Sequence, residues 1–233
     1  MKGKTRTSDQ ETRERLRVAA LHLFAERGFS KVTVRDISSE AGANLAAVSY
    51  HFRDKLGLYD AVLSEAIATM RAIADESMHA PEGATPEEKL RHYVRTYLPR
   101  VTQPETHAWI HKLMSHEMND PTPLADRIID EVIMPRLRYL EALVATMLDC
   151  DRDDARVKHC VSSIQAQVLF HMRTPFRKIV QQRWSAEPPP LTVVADHIAE
   201  FSIAGIRALA KSSATPARTR RPRGSRRARS RGN

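Results

Sequence analysis

Residues 33–55 read TVRDISSEAGANLAAVSYHFRDK, and their spacing decides the fold. Val34, Ile37 and Ala41 fall at i, i+3 and i+7, as do Leu45, Val48 and Phe52. Each set makes one apolar stripe on a short helix. Neither stripe is wide enough to fold alone, so the two helices must share a core. Between them Ala41-Gly42-Ala43-Asn44 supplies small residues for close contact, a glycine for positive φ at the bend, and an asparagine to cap the second helix. This is the spacing of a helix-turn-helix. Its second helix is expected to turn Asn44, Ala46, Ala47, Ser49, Tyr50 and His51 outward, a set of small, polar and aromatic side chains that fits a DNA major groove.

Working outward, Leu16, Ala19, Ala20, Leu23 and Phe24 recur at helical spacing and predict a first helix from about residue 9 to 27, ended by Gly28. Residues 1–8, with Lys2, Lys4 and Arg6, are expected to form a mobile arm that either contacts phosphates or has no role. Thr33 is the expected N-cap of the second helix, with Asp36 at the capping-box position. Downstream, Leu58, Tyr59, Val62, Ile67 and Met70 carry a long helix to about residue 78. Pro81 to Pro86 break it. Further helices are expected at about 87–101, 105–118, 123–148, 154–173, 176–184 and 192–210, with prolines at the junctions and a kink at Pro135. No segment alternates with period two over a strand's length, so the architecture is all-α.

The 233 residues carry 37 basic and 28 acidic side chains, and their distribution is uneven. Residues 1–55 hold 11 basic and 7 acidic groups, residues 56–210 hold 17 and 21, and residues 211–233 hold 9 and none. A basic head on a mildly acidic body suits a protein that meets nucleic acid with one end. Three segments follow: a DNA-binding domain at 1–55, a helical body at 56–210, and a disordered Arg-rich tail at 211–233. The tail either adds nonspecific DNA affinity or is a solvated charge run. No run approaches the roughly 18 to 20 apolar residues of a membrane helix, and no signal peptide is evident. Cys150 and Cys160 lack metal or redox spacing and read as reduced thiols, which gives a cytoplasmic expectation.

With the first helix in place, the pattern Ala20-x-x-Leu23-Phe24-Ala25-x-x-Gly28-Phe29, Thr33-Val34-Arg35-Asp36-Ile37, Ala41-Gly42 and Tyr50-His51-Phe52-x-x-Lys55-x-x-Leu58-Tyr59 resembles the TetR family of bacterial transcription regulators. Ser38 and Leu56 depart from the usual Ala and Glu. Asn44 to Phe52 taken with Ser115-His116-Glu117-Met118 and Pro121-Thr122-Pro123 resembles the CecR-like subgroup. The resemblance implies a homodimer whose two heads read a palindromic double-stranded DNA operator, repressing transcription until a small-molecule effector binds the body. Activation of transcription, or sequence-blind nucleoid binding, is the alternative.

The resemblance makes Asn44, Leu45, Ala46, Ala47 and Ser49 the base-reading candidates, although Leu45 equally fits the core. Thr33, Arg35, Tyr50, His51 and Lys55 become phosphate or groove-edge contacts. Trp109, Leu113, Met114, Val168, Phe170 and Met172 are candidates for an apolar effector pocket, with plain core as the commoner reading. The 154–173 and 192–210 helices are the expected dimer interface. His107 and His111 stand at i, i+4 near Glu117, but no fourth ligand has diagnostic spacing and no metal or cofactor is expected. Nor is there a nucleophile with a base, or a phosphate loop, so the chain does not read as an enzyme.

Overall fold

The computed structural model describes residues 2–102, 108–172, 179–180, 182–183 and 189–214, and among these the secondary structure is helical without strands. We number the helices α1 (Lys2–Arg27), α2 (Val34–Glu40), α3 (Leu45–Phe52), α4 (Lys55–Met78), α5 (Pro86–Thr102), α6 (Ala108–Asn119), α7 (Ala125–Ile128), α8 (Met134–Leu148), α9 (Ala155–Phe170) and α10 (Leu191–Ala214). A π-helical turn, Ile129–Ile133, joins α7 to α8.

Local chemistry places most of these ends. Thr33 and Asp36 form a capping box: the Asp36 N–H donates to the Thr33 hydroxyl at 3.2 Å and the Thr33 N–H donates to the Asp36 carboxylate at 2.8 Å. Thr85 and Glu88 do the same at the start of α5, where Pro86 takes the first helical position. Asn44, Asp54 and Asp154 cap α3, α4 and α9 with their side-chain oxygens.

Two apolar clusters organise the packing. The first gathers Leu16, Leu23 and Phe24 of α1, Ile37 of α2, Val48 and Phe52 of α3, and Leu58, Tyr59 and Val62 of α4, and then continues into Ile110 and Leu113 of α6 and Ile128 and Val132 beyond. The second joins Leu90, Tyr93 and Leu98 of α5 to Leu140 and Val144 of α8, Val161 and Ile164 of α9, and Ala195, Ile198 and Ile203 of α10. Helices α4 and α8 link the two layers, and α10 packs along α5 with ion pairs Arg91–Glu200 at 2.7 Å and Arg95–Asp196 on its flank.

Several expectations change. The segment expected to be a mobile arm belongs to α1, which is helical from Lys2. No proline interrupts it, and extending an already docked helix by about two turns needs no new nucleus. The 123–148 helix is divided. Its break is the π turn ahead of Pro135, which lies in the first turn of α8. Proline lacks an N–H and its ring crowds the carbonyl four residues back, so the widened turn accommodates it. Helix α10 runs to Ala214 and takes the first four residues of the expected tail. Residues 215–233, and five of the nine residues of the helix expected at 176–184, lie outside the described residues.

Candidate nucleic-acid interface and its link to the body

The turn between α2 and α3 is built from backbone need. Gly42 sits at φ +58, which a residue without Cβ adopts at no steric cost. From α1, the Arg15 guanidinium donates to the Ala41 carbonyl at 3.2 Å and holds the turn from beneath. Asn44 follows as cap, its side-chain oxygen accepting from the Ala46 N–H at 3.0 Å. At the other end of α3, Asp54 caps α4 by accepting from the Gly57 N–H at 2.8 Å.

Held at both ends, α3 buries Val48 and Phe52 and exposes Ala46, Ser49, Leu45 at 47% and Tyr50 at 75%. Leu45 therefore leaves the core stripe. At the first position of a short helix its Cβ points back past the end of the partner helix, where there is nothing to bury it. Ala47 moves the other way and is half-buried against the head core. His51, one turn on from Ala47, shares that side: its side chain is only 7% exposed, and Nε2 lies 3.5 Å from the Asp9 carboxylate of α1. The inward face of α3 is thus 47, 48, 51 and 52, two pairs one turn apart, and the outward face is 45, 46, 49 and 50.

Lys55 is also directed inward. Its ammonium donates to the carbonyls of Phe29 and Val32 at 3.0 Å each and sits 4.1 Å from the centre of the Phe29 ring. Those contacts tie the start of α4 to the α1–α2 loop and engage the ammonium that the sequence offers as a phosphate contact. Thr33 and Arg35 remain exposed at the start of α2, with the Thr33 hydroxyl donating to Asp36 at 2.7 Å. Those hydrogen bonds from Thr33 hold the Asp36 carboxyl below its ordinary pKa.

The head is clasped by α6. Tyr59 of α4 donates its hydroxyl to Glu117 at 2.5 Å, and the second Glu117 oxygen accepts from the Thr122 N–H at 3.1 Å, so the buried carboxylate is satisfied on both sides. Burial first, and then the Glu117 carboxylate, push the Tyr59 phenol well above its usual pKa. His116 lies 3.2 Å from the Ala25 carbonyl and its ring covers Gly28, Lys112 pairs with Glu26, and Ser30 donates to Asp120 at 2.5 Å. Sequence reasoning marked 115–118 only as part of a family resemblance. A buried Glu one step from a His on an apolar helix face was the available signal, but nothing local names Tyr59 as its partner.

The six expected pocket residues do not meet. Leu113 is in the head core with Trp109 and Met114 beside it, Val168 is in the body core, Phe170 is exposed, and Met172 is half-buried past the end of α9. Helical spacing gave them apolar faces, but those faces belong to different layers. His107 lies outside the described residues, and among the described residues no three His, Cys, Asp or Glu side chains gather to hold a metal. Among them, too, no helix is long and apolar enough to cross a membrane.

A capped helix pair presenting one small, exposed helix face, mounted on a separate helical layer, defines a helix-turn-helix DNA-binding regulator of transcription. Residues 16–62 match the model of the bacterial regulatory proteins of the tetR family, and residues 86–206 match that of the C-terminal domain of the HTH-type transcriptional dual regulator CecR. The chain is 30% identical over 186 residues to the dual regulator CecR of Shigella flexneri, covering 76% of this chain and 82% of that one. It belongs to the TetR family, with a CecR-type C-terminal domain. To the repressor BepR of Brucella suis the likeness, 35% over 63 residues, covers 27% of this chain and 30% of that one. The fold is shared with the TetR-family regulator SCO4454 of Streptomyces coelicolor, at TM-score 0.59 and 18% identity over 85% of this chain and 97% of that one. It is shared as well with the ketosteroid regulator KstR2 of Mycobacterium tuberculosis, at TM-score 0.55 and 21% identity over 83% and 93%.

Proposed function

We propose that the chain acts as a cytoplasmic homodimeric repressor, released from a palindromic operator when a small molecule binds its body. The observation that carries this reading is the outward row Leu45, Ala46, Ser49 and Tyr50 on a helix locked by Val48 and Phe52 beneath. The methyls of Leu45 and Ala46 suit thymine methyls, and the Ser49 hydroxyl suits a base edge. Asn44 keeps its amide group for a base or phosphate while its oxygen caps the helix. Thr33, Arg35 and Tyr50 take the phosphates on either side. Ala47, His51 and Lys55 act by positioning α3 and do not themselves touch DNA.

A second copy is the partner that fits α9 and α10. Val193 at 55% and Phe201 at 64% exposure lie on one face of α10 with Ala204, Gly205 and Ala208, and Leu169 is exposed near the end of α9. A Cβ added at Gly205 would meet open space, so packing within the chain does not call for the small residue, whereas close approach of a second helix does. Two heads then present α3 about 34 to 36 Å apart, one turn of DNA. The Shigella flexneri relative is named a dual regulator, which favours activation at some promoters as a second reading.

The test is selection of bound genomic fragments by the purified protein, followed by footprinting. A two-fold symmetric consensus that shifts when Ser49 or Ala46 is changed supports the reading, and binding without a consensus overturns it. Phe201→Glu is expected to yield monomers by light scattering.

A further inference from the structure

In the body layer, Arg136 in the first turns of α8 stands over the Tyr97 ring of α5 at 4.5 Å. Its Nε is buried and has no hydrogen-bond partner among the described residues, and no carboxylate there pairs with its guanidinium. Other body arginines behave differently: Arg91, Arg95, Arg127 and Arg156 each meet a carboxylate, which raises their pKa, while burial pulls that of Arg136 down. Three residues on, and so on the same side of α8, the Tyr139 hydroxyl is likewise buried without a partner. The surroundings are built from three helices. Tyr93 of α5 stacks on Tyr97 at 5.4 Å, lies 6.1 Å from the Tyr139 ring, and accepts from the Gln165 side chain of α9 at 3.3 Å.

Arg136 is half-buried, and a guanidinium does not deprotonate in a protein, so its charge stays in place with no carboxylate beside it among the described residues. A cation–π contact recovers only part of the cost of desolvating it and satisfies no N–H. Two neighbouring unsatisfied donors, one of them a planar cation, call for an acceptor that is planar and anionic. Tyrosine rings supply the apolar walls for the rest of such a molecule.

We propose that Arg136 and Tyr139, framed by Tyr93, Tyr97 and Gln165, recognise the carboxylate of a small aromatic or aliphatic acid, and that this acid is the chemical class of the effector. The second half of that statement rests on the effector-controlled reading above; the first does not. The site is distinct from the six apolar residues singled out in the sequence. It joins α5, α8 and α9, and α8 and α5 lead through α4 to the head.

The test uses the full-length protein with benzoate, 3-phenylpropionate and decanoate, each beside its primary amide. The acids are expected to raise the melting temperature and the amides to leave it unchanged. Arg136→Met should abolish the shift, and Tyr139→Phe should weaken binding by about tenfold. Should the Met variant not fold, the acid–amide comparison and Tyr139→Phe still decide. No shift with any acid, equal shifts with the amides or with inorganic phosphate, or a full shift in Arg136→Met overturns the site. Footprinting without ligand separates the two readings. A sharp footprint together with no thermal shift from any acid overturns the carboxylate site and leaves the regulator, and acid binding that never releases DNA leaves the site and overturns its role as effector site.

Discussion

The Tyr59 hydroxyl and the Glu117 carboxylate, 58 residues apart in sequence, meet at 2.5 Å inside the core that joins α4 to α6. Tyr59 is an edge of the aromatic group Phe24–Phe29–Tyr59, with ring centres 4.9 and 5.0 Å from it. One contact therefore touches α1, the α1–α2 loop, α4 and α6. Tyr59→Phe leaves the buried carboxylate with one donor fewer and is expected to cost about 1 to 3 kcal/mol. Thermal unfolding reads the loss, and faster amide exchange at the end of α1 locates it. A variant as stable as wild type would show that the contact contributes nothing net.

Lys55→Ala is expected to lower stability by about 1 to 2 kcal/mol, because two carbonyls and a ring lose their cation. DNA affinity should fall through misplacement of α3, with the dependence of binding on salt unchanged. Arg35→Ala should do the reverse, sparing stability and reducing the salt slope by about one. Titrating operator affinity against salt for both variants distinguishes an inward cation from a phosphate contact.

Gly57→Ala is expected to unfold the head locally or cost about 2 kcal/mol or more, since the new Cβ would stand 2.1 Å from the Phe52 carbonyl oxygen. That carbonyl is backbone at the end of α3 and cannot swing aside. Circular dichroism melting and loss of operator binding check it. Gly205→Ala is the contrasting substitution, predicted to leave monomer stability unharmed.

Asp36 gives a pH dependence of known sign. Its folded-state pKa is lowered from 3.8 by the Thr33 hydrogen bonds, so its contribution is present above about pH 4 and disappears as pH falls through the folded value. Glu88 behaves alike through Thr85. Asp36→Asn should be less stable than wild type at neutral pH and converge with it in acid. Melting temperatures between pH 2 and 7 test this, and parallel curves would count against the capping box as their source.

Much of the fold was legible because its signals are local. The capping boxes, the Gly42 bend and the proline junctions act within about four residues, and helical periodicity over 15 or more residues separates helix from strand without knowing the neighbours. The helix-turn-helix followed from these, and the family from the resemblance of the motif series between Ala20 and Tyr59. Orientation within a short helix was less legible: one residue is 100° of rotation, so a three-residue stripe assigned Leu45 inward and Ala47 and His51 outward, and the packed helix is turned the other way.

The sequence by itself determined an all-helical chain with a basic, capped head and a short helix whose exposed side chains suit DNA. Only tertiary structure decided what each charged side chain does. Lys55 turned out to be a clasp on Phe29 and Val32, Glu117 the socket for Tyr59, and Arg136 a half-buried cation beside tyrosines, where a sequence shows three polar residues on helices. The reason is physical. Hydrophobic patterning fixes which face is buried, but the cost of a buried charge depends on partners tens of residues away, and these are set only when the layers pack.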